Sequence, residues 1–301
     1  MEYLDASDNR LGLHGGLAMS ALLRENDTLK DVCLSGNKLC DRVAIHMADS
    51  LMKNSTLARL DLSHNEIRDR GGEKMAELLL VNGEIKDLDL SWNRLTARGG
   101  KALAESIENN KTLTVLDIGW NGIGDEAGKT LENALTENNV LRHLNIANNR
   151  LSSVSAEAIA SGVEKNKGLV SLVLDSNPFG AKGCDLIMEA LKMNSAIINV
   201  GLNNVEPEAN FATNEAPPAG TDWCWWFGST PLTMLLARAH YSGAPPIPTA
   251  EDGTPLGPPT SPRTLLTPRQ VWARNPEPMT LPCASKPTGY FKINLSKPWE
   301  R

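Results

Sequence analysis

At 301 residues, with a formal net charge of −6 and a mildly polar mean hydropathy, the chain has the balance of a water-exposed protein and lacks the basic footprint of a nucleic-acid binder. No apolar run approaches the ~18 residues that a membrane-spanning helix needs, and Met1-Glu-Tyr-Leu-Asp has neither the basic nor the apolar region of a secretory leader. The five cysteines, Cys33, Cys40, Cys184, Cys224 and Cys283, are odd in number and form no C-x-x-C pair. No disulfide framework, metal site or cofactor is therefore expected, and a reducing, cytoplasmic compartment fits best.

Taken in order, the chain enters a pattern at its first residue. Met1-Glu-Tyr-Leu4-Asp-Ala6-Ser-Asp-Asn9 fits the template L-x-x-L-x-L-x-x-N, and the template returns at Leu29, Leu57, Ile85, Leu113, Leu141 and Leu169. Its asparagines, Asn9, Asn37, Asn65, Asn93, Asn121, Asn149 and Asn177, recur every 28 residues without slippage. An eighth unit, Ile197-Ile-Asn-Val200-Gly-Leu202-Asn-Asn-Val205, keeps the register but carries Val where Asn belongs, so it reads as the last rung. The template alternates as a strand does. After each Asn the apolar spacing changes to three and four, as in Met75, Ala76, Leu78 and Leu79, which is one face of a helix. The helices close on Asn54, Asn82, Asn110, Asn138, Asn166 and Asn194, expected to act as left-handed C-terminal caps.

One such unit cannot bury its own apolar stripe, and stacked units can. The expected architecture is an α/β solenoid of about eight repeats, with a curved parallel strand ladder inside and helices outside. Gly71, Gly99, Ala76 and Ala104 are expected to let the helices approach closely. The asparagine column is expected to satisfy buried backbone groups where the chain leaves each strand. Because the template begins at Met1, no cap precedes the first rung. Either the chain is a fragment or a partner covers that edge, and the fragment reading is preferred.

Asn-x-Ile/Leu-x-x-x-Gly-x-x-x-Leu/Ile-Ala-x-x-Leu followed by Asn-x-Thr-Leu resembles the ribonuclease-inhibitor type of leucine-rich repeat, over residues 1–205. The uniform period resembles short cytosolic and ciliary leucine-rich repeat proteins and the repeat domains of nucleotide-binding receptors. The resemblance implies a non-enzymatic scaffold that binds protein on its concave face, with a cytoskeletal or ciliary setting as a subclass. Two alternatives stay open: a GTPase-activating regulator resembling the Ran GTPase-activating protein, and a fragment of an innate-immune receptor.

Residues 206–301 differ in composition. They hold seventeen of the eighteen prolines and five of the seven tryptophans. Trp223, Trp225, Trp226 and Phe227 are expected to cover the open end of the last rung. Pro231 to Tyr241 reads as a short amphipathic helix, and residues 244–268 read as an extended or disordered proline-rich segment containing Ser261-Pro and Thr267-Pro, candidate phosphorylation sites.

Two groups of residues are candidates for a binding surface. The positions between the template leucines carry Asp61, Asp89 and Asp117 on adjacent rungs, about 4.8 Å apart. These three carboxylates repel one another, and a partner with a basic surface relieves that. Just past them His64, Trp92 and Trp120 occupy equivalent positions, and exposed large aromatics are typical anchors. Gly122-Ile-Gly124-Asp-Glu-Ala127 mimics a dinucleotide fingerprint between a strand and a helix, but no two-sided parallel sheet accompanies it, and nucleotide binding is not expected. The remaining histidines are too scattered to form a site, and no catalytic residue is indicated.

Overall fold

The computed structural model describes residues 1–205 and 233–235. Eight three-residue strands run β1 (Tyr3–Asp5), β2 (Asp31–Cys33), β3 (Arg59–Asp61), β4 (Asp87–Asp89), β5 (Val115–Asp117), β6 (His143–Asn145), β7 (Ser171–Val173) and β8 (Asn199–Gly201). Between them lie seven helices: α1 (Gly12–Glu25), α2 (Asp41–Leu51), α3 (Asp69–Val81), α4 (Ala97–Asn109), α5 (Gly124–Glu137), α6 (Ser153–Lys165) and α7 (Gly180–Met193). The eight strands pair in parallel in sequence order, each residue opposite the one 28 positions on, as in Leu60 with Leu88 and Leu88 with Leu116. The shared register puts every template leucine over its equivalent. One continuous core results, from Leu4 to Val200, between the ladder and the helices.

Three residues are a short strand, and the asparagine column supplies what the ladder lacks. In rung 3 the Asn65 Nδ2 donates to the carbonyls of Leu62 (2.9 Å) and Ser63 (3.0 Å) on its own turn and of Leu34 (3.1 Å) on the rung before. Its Oδ1 accepts from the backbone N–H of Asn37 and of Leu39, at 3.0 and 2.9 Å, also on the rung before. The N–H two residues past the column is served this way in each of the first six rungs: Leu11, Leu39, Ile67, Leu95, Ile123 and Leu151. The seventh differs. With Val205 in place of Asn, no side-chain oxygen arrives from rung 8. Phe179 N–H turns back to its own Asn177 carbonyl at 2.9 Å, and the intervening Pro178 has no N–H to satisfy.

The helix-terminal asparagines form a second ladder and not a set of left-handed caps. Asn82, Asn110, Asn138, Asn166 and Asn194 have φ between −84 and −66° and ψ between 120 and 137°, which is extended backbone. The expected left-handed turn is absent because the side chain does the capping instead. Asn82 Nδ2 donates to the carbonyls of Leu51 (2.8 Å) and Asn54 (3.2 Å) on the preceding rung, and its Oδ1 accepts from Glu84 and Ile85 N–H. Carbonyls left over at each helix end are thereby satisfied by the next rung.

A third cross-rung device serves the helix starts. Asp69 accepts from the backbone N–H of Thr96 (2.7 Å) and Gly99 (3.0 Å), so the first turn of α3 caps α4. Asp125 does the same for α6 through Ser152 and Ser155. Burial alone would raise the Asp69 pKa, but the Thr96 and Gly99 hydrogen bonds outweigh it and hold it below the usual carboxylate value. Consecutive helices pack along their length. A β-carbon on Gly71 would sit 2.6 Å from Ile67 Cγ2 and 3.0 Å from Ala44 Cβ, so α2 and α3 meet at a distance that only glycine allows.

Past β8 the chain returns as β9 (Thr233–Leu235), antiparallel to β8, with Met234 opposite Val200. Within the stretch expected as a helix, Pro231 to Tyr241, the described residues Thr233–Leu235 form this strand, and the rest of it lies outside the described residues. The free edge of β8 offers unpaired backbone groups, and pairing satisfies them where a solvent-side helix would not. The aromatic cluster Trp223, Trp225, Trp226 and Phe227 and the Ser261 and Thr267 sites lie outside the described residues.

Candidate protein-interaction site

The strand residues flanking each central leucine form two columns on the concave face. The first reads Tyr3, Asp31, Arg59, Asp87, Val115, His143, Ser171, Asn199. Here Arg59 bridges two rungs. Its Nη1 lies 3.3 Å from Asp31 Oδ2 and its Nε 2.8 Å from Asp87 Oδ2, with all three side chains half-buried. Burial raises Asp31 to about 6 even with Arg59 beside it, and raises Asp87 as well. Sequence reading missed this triad. Its signal was an Asp-Arg-Asp alternation at the repeat period, which acquires meaning only with the register.

The second column carries the three expected aspartates, and it is less exposed than a bare acidic surface would be. Asp61 is buried, and Asp89 and Asp117 are half-buried. Each accepts a backbone N–H two residues on: Ser63 to Asp61 (2.9 Å), Ser91 to Asp89 (2.8 Å) and Gly119 to Asp117 (2.9 Å). These bonds start the turn out of the strand, so the aspartates have a structural task that Asn145 performs equally well with Ala147. The other Asp61 oxygen meets Cys33 Sγ at 3.3 Å, and the other Asp117 oxygen accepts Asn145 Nδ2 at 2.9 Å. Burial, then the charges of Asp117 and Asp61, push Asp89 well above the ordinary carboxylate value. Burial raises Asp117 to about 6 against the hydrogen bonds from Gly119 and Asn145.

The turn itself demands one unusual conformation. The residue before the column position, Asn in seven rungs and Val205 in the eighth, has φ near +50 to +70° throughout: Asp8, Gly36, His64, Trp92, Trp120, Asn148, Ser176 and Asn204. Rung-to-rung backbone bonds lock it there, as Trp92 N–H to the Gly119 carbonyl (3.0 Å) and Trp120 N–H to the Ala147 carbonyl (2.7 Å). Gly, Asn and Asp are the residues this geometry suits. Three rungs instead hold rings. His64 stacks on Trp92 with centroids 5.1 Å apart and planes 12° apart, and Trp92 stacks on Trp120 at 4.1 Å and 6°. Trp92 is 45% and Trp120 41% exposed, the largest apolar groups left open on this side. The structure thus joins three of the sequence candidates into a single aromatic stack, with the acidic columns on the same rungs.

The leucine-rich repeat family model matches residues 53–76, 85–104, 109–131 and 137–160. These are leucine-rich repeats. No curated protein matches it. Among solved structures, this leucine-rich repeat chain is similar to leiomodin-1 actin-binding site 2 at 16% identity, covering 61% of this chain and 90% of that one, with a TM-score of 0.41. It is similar to the tropomodulin C-terminal domain of Caenorhabditis elegans at 17% identity, covering 51% and 92%, with a TM-score of 0.40. It is similar to an internalin from Listeria monocytogenes at 17% identity, covering 65% of this chain and 54% of that one, with a TM-score of 0.41. No helix among the described residues is long and apolar enough to cross a membrane.

Proposed function

We propose that the chain is a non-enzymatic protein-binding scaffold whose partner docks on the concave face against the His64–Trp92–Trp120 stack. One observation carries this reading: two exposed tryptophans occupy left-handed backbone positions where Gly, Asn or Asp would be less strained. Strain accepted at a surface, for large groups with no core to fill, is the mark of a contact residue. The acidic columns beside the stack favour a partner with a basic surface. The finer part of the proposal is a cytoskeletal setting in the cytoplasm, which rests on the resemblance of the repeat text. Cosedimentation with actin filaments tests it directly.

Affinity capture from a cell extract tests the site. Wild type and a helix-side control, Leu80→Ala, should retain one set of partners. The double variant Trp92→Ala/Trp120→Ala should lose it. An unchanged partner set in the double variant sinks the proposal, and stimulation of GTP hydrolysis by a small GTPase would replace the scaffold with a regulator.

A further inference from the structure

We propose that Asp89, set between Asp61 and Asp117, is a proton-operated switch for the aromatic stack: with a proton on Asp89 the Trp92–Trp120 contact is closed, and with all three carboxylates ionised it opens. The inference goes beyond the reading of this face as protein-binding and does not depend on it, because the stack can be read without a partner.

Asp61 pairs in register with Asp89, and Asp89 with Asp117, on adjacent rungs, about 4.8 Å apart. Side chains of this column reach one another across that spacing. At one end Cys33 Sγ donates to Asp61 Oδ2 at 3.3 Å, and at the other Asn145 Nδ2 donates to Asp117 Oδ2 at 2.9 Å. Each outer aspartate thus has a neutral donor on its outer side. Asp89 has a carboxylate on both sides, and its own hydrogen bonds come from Ser91 of the same turn, side chain and backbone. A proton on Asp89 makes it the donor that the centre lacks, and its O–H then bonds a neighbouring carboxylate. Without that proton three like charges stand in file. Burial, then the charges of Asp117 and Asp61, keep a proton on Asp89 well above the ordinary carboxylate range, and burial raises Asp117 to about 6. The other charged neighbours do not cancel this. Asp87 on β4 adds a negative charge, and Arg59 is engaged between Asp31 and Asp87 at 3.3 and 2.8 Å. His143 on β6 is held toward its neutral form by burial and by Arg142.

The column is joined to the stack through the turns that follow it. Asp117 Oδ1 holds Gly119 N–H at 2.9 Å, the Gly119 carbonyl accepts Trp92 N–H at 3.0 Å, and Trp120 follows Gly119 in the chain. Asp89 Oδ1 holds Ser91 N–H at 2.8 Å, directly before Trp92. Each carboxylate therefore grips the turn that aims one tryptophan. Packing at Gly119 is close: a β-carbon there would meet Asn145 Oδ1 at 3.1 Å and Asp117 Oδ1 at 3.2 Å. Repulsion between Asp89 and Asp117 acts to part rungs 4 and 5 at this turn, where the indoles face each other at 4.1 Å and 6°. A gap of about 0.5–1 Å forfeits roughly a quarter to a half of a van der Waals contact, so a small displacement is enough.

The test is circular dichroism of the full chain, titrated from about pH 5 to about pH 9. Two indoles stacked face to face give an exciton couplet, identified as the signal lost in Trp120→Phe, which keeps a ring in the ladder. The couplet should be strong in mild acid, where the Asp89–Asp117 pair holds its proton, and should be lost as pH rises past about 6. Asp89→Asn supplies a permanent N–H donor at the centre and keeps an oxygen for Ser91 N–H. Its couplet should stay at the acid level throughout. Histidine titrates in the same range, so His64→Phe, which keeps a ring on Trp92, should titrate as wild type does. Helical ellipticity at each pH separates loss of the stack from loss of the fold. A wild-type couplet indifferent to pH, or a titration that survives Asp89→Asn, overturns the switch. A titration lost in His64→Phe gives the effect to the imidazole and overturns it as well. If partner capture still depends on Trp92 and Trp120 in that event, the switch falls and the interaction face stands.

Discussion

The tension in this molecule is visible at single residues. A left-handed conformation costs a residue with a β-carbon roughly 1–2 kcal/mol, and a stacked aromatic pair returns about 1 kcal/mol. Trp92 pays the first and earns the second from both sides. Two substitutions separate these effects. Trp92→Ala keeps the strained backbone and loses the stack, so it should lower stability by about 1 kcal/mol in urea titrations. Trp92→Gly loses the stack but relieves the strain, and its urea midpoint should fall close to that of wild type. Gly36 already stands at the equivalent position with φ +70°. Both variants should lose partner capture equally; a Gly variant as destabilised as the Ala variant would mean that strain is not stored there. The sequence displayed the position but not its geometry. Asp8, Gly36, Asn148 and Asn204 are residues that tolerate left-handed backbone, and reading them down the column would have exposed Trp92 and Trp120 as exceptions.

At the scale of the element, each strand is too short to hold its turn, and the asparagine amide extends it. Sequence spacing was enough to assign that task to the Asn column, because one residue type recurring at every exit from a strand has few other physical reasons. The same reasoning misassigned the helix-terminal asparagines. Asn serves either as a left-handed cap or as a side-chain bridge, and composition does not separate the two; the three-dimensional neighbour one rung back does. The column Asn93 donates to Leu62, Leu90 and Ser91 carbonyls and accepts from Ile67 N–H. Asn93→Ala leaves these buried groups without partners and should lower stability by roughly 3 kcal/mol. Asn121→Ala, at the half-buried member of the column, should cost less in the same urea experiment because water can replace part of what is lost.

The whole molecule responds to pH through its acidic face. Asp31 and Asp117 are raised to about 6, and Asp89, Asp87 and Asp175 are also raised, in each case chiefly by burial. A carboxyl raised in the folded state binds its proton more tightly there than in the unfolded chain. Its contribution to stability is complete below the ordinary value of 3.8 and is lost as pH rises through about 6. Asp69 and Asp125 are lowered by their helix-capping bonds against burial, so their contribution persists until pH falls below 3.8. Thermal stability should therefore rise as pH is reduced from about 7 to about 5 and decline only on stronger acidification. Asp89→Asn keeps the oxygen that accepts Ser91 N–H and removes the charge. It should stabilise the protein at neutral pH and make little difference near pH 4. A melt that is flat between about pH 7 and pH 5 would count against the buried carboxylates. Affinity for a cationic partner should move the opposite way, weakening as those groups take up protons. Composition shows a net charge of −6, but which carboxylates share a face follows from the register alone.

The direction of the asparagine bonds has a consequence for how the protein is made. Each column Oδ1 reaches back to amides of the rung that precedes it in sequence. The helix-terminal Nδ2 groups likewise reach back to earlier carbonyls. A rung leaving the ribosome therefore has its amide donors and helix-end carbonyls open until the next 28 residues follow. If order propagates from the N-terminus it lags by one repeat, and the last ordered rung carries the unpaired groups. At rung 7 only the column's share ends: Pro178 carries no amide and Phe179 N–H is satisfied on its own turn, while Leu174 and Ser176 N–H still donate to the Gly201 and Asn203 carbonyls of rung 8.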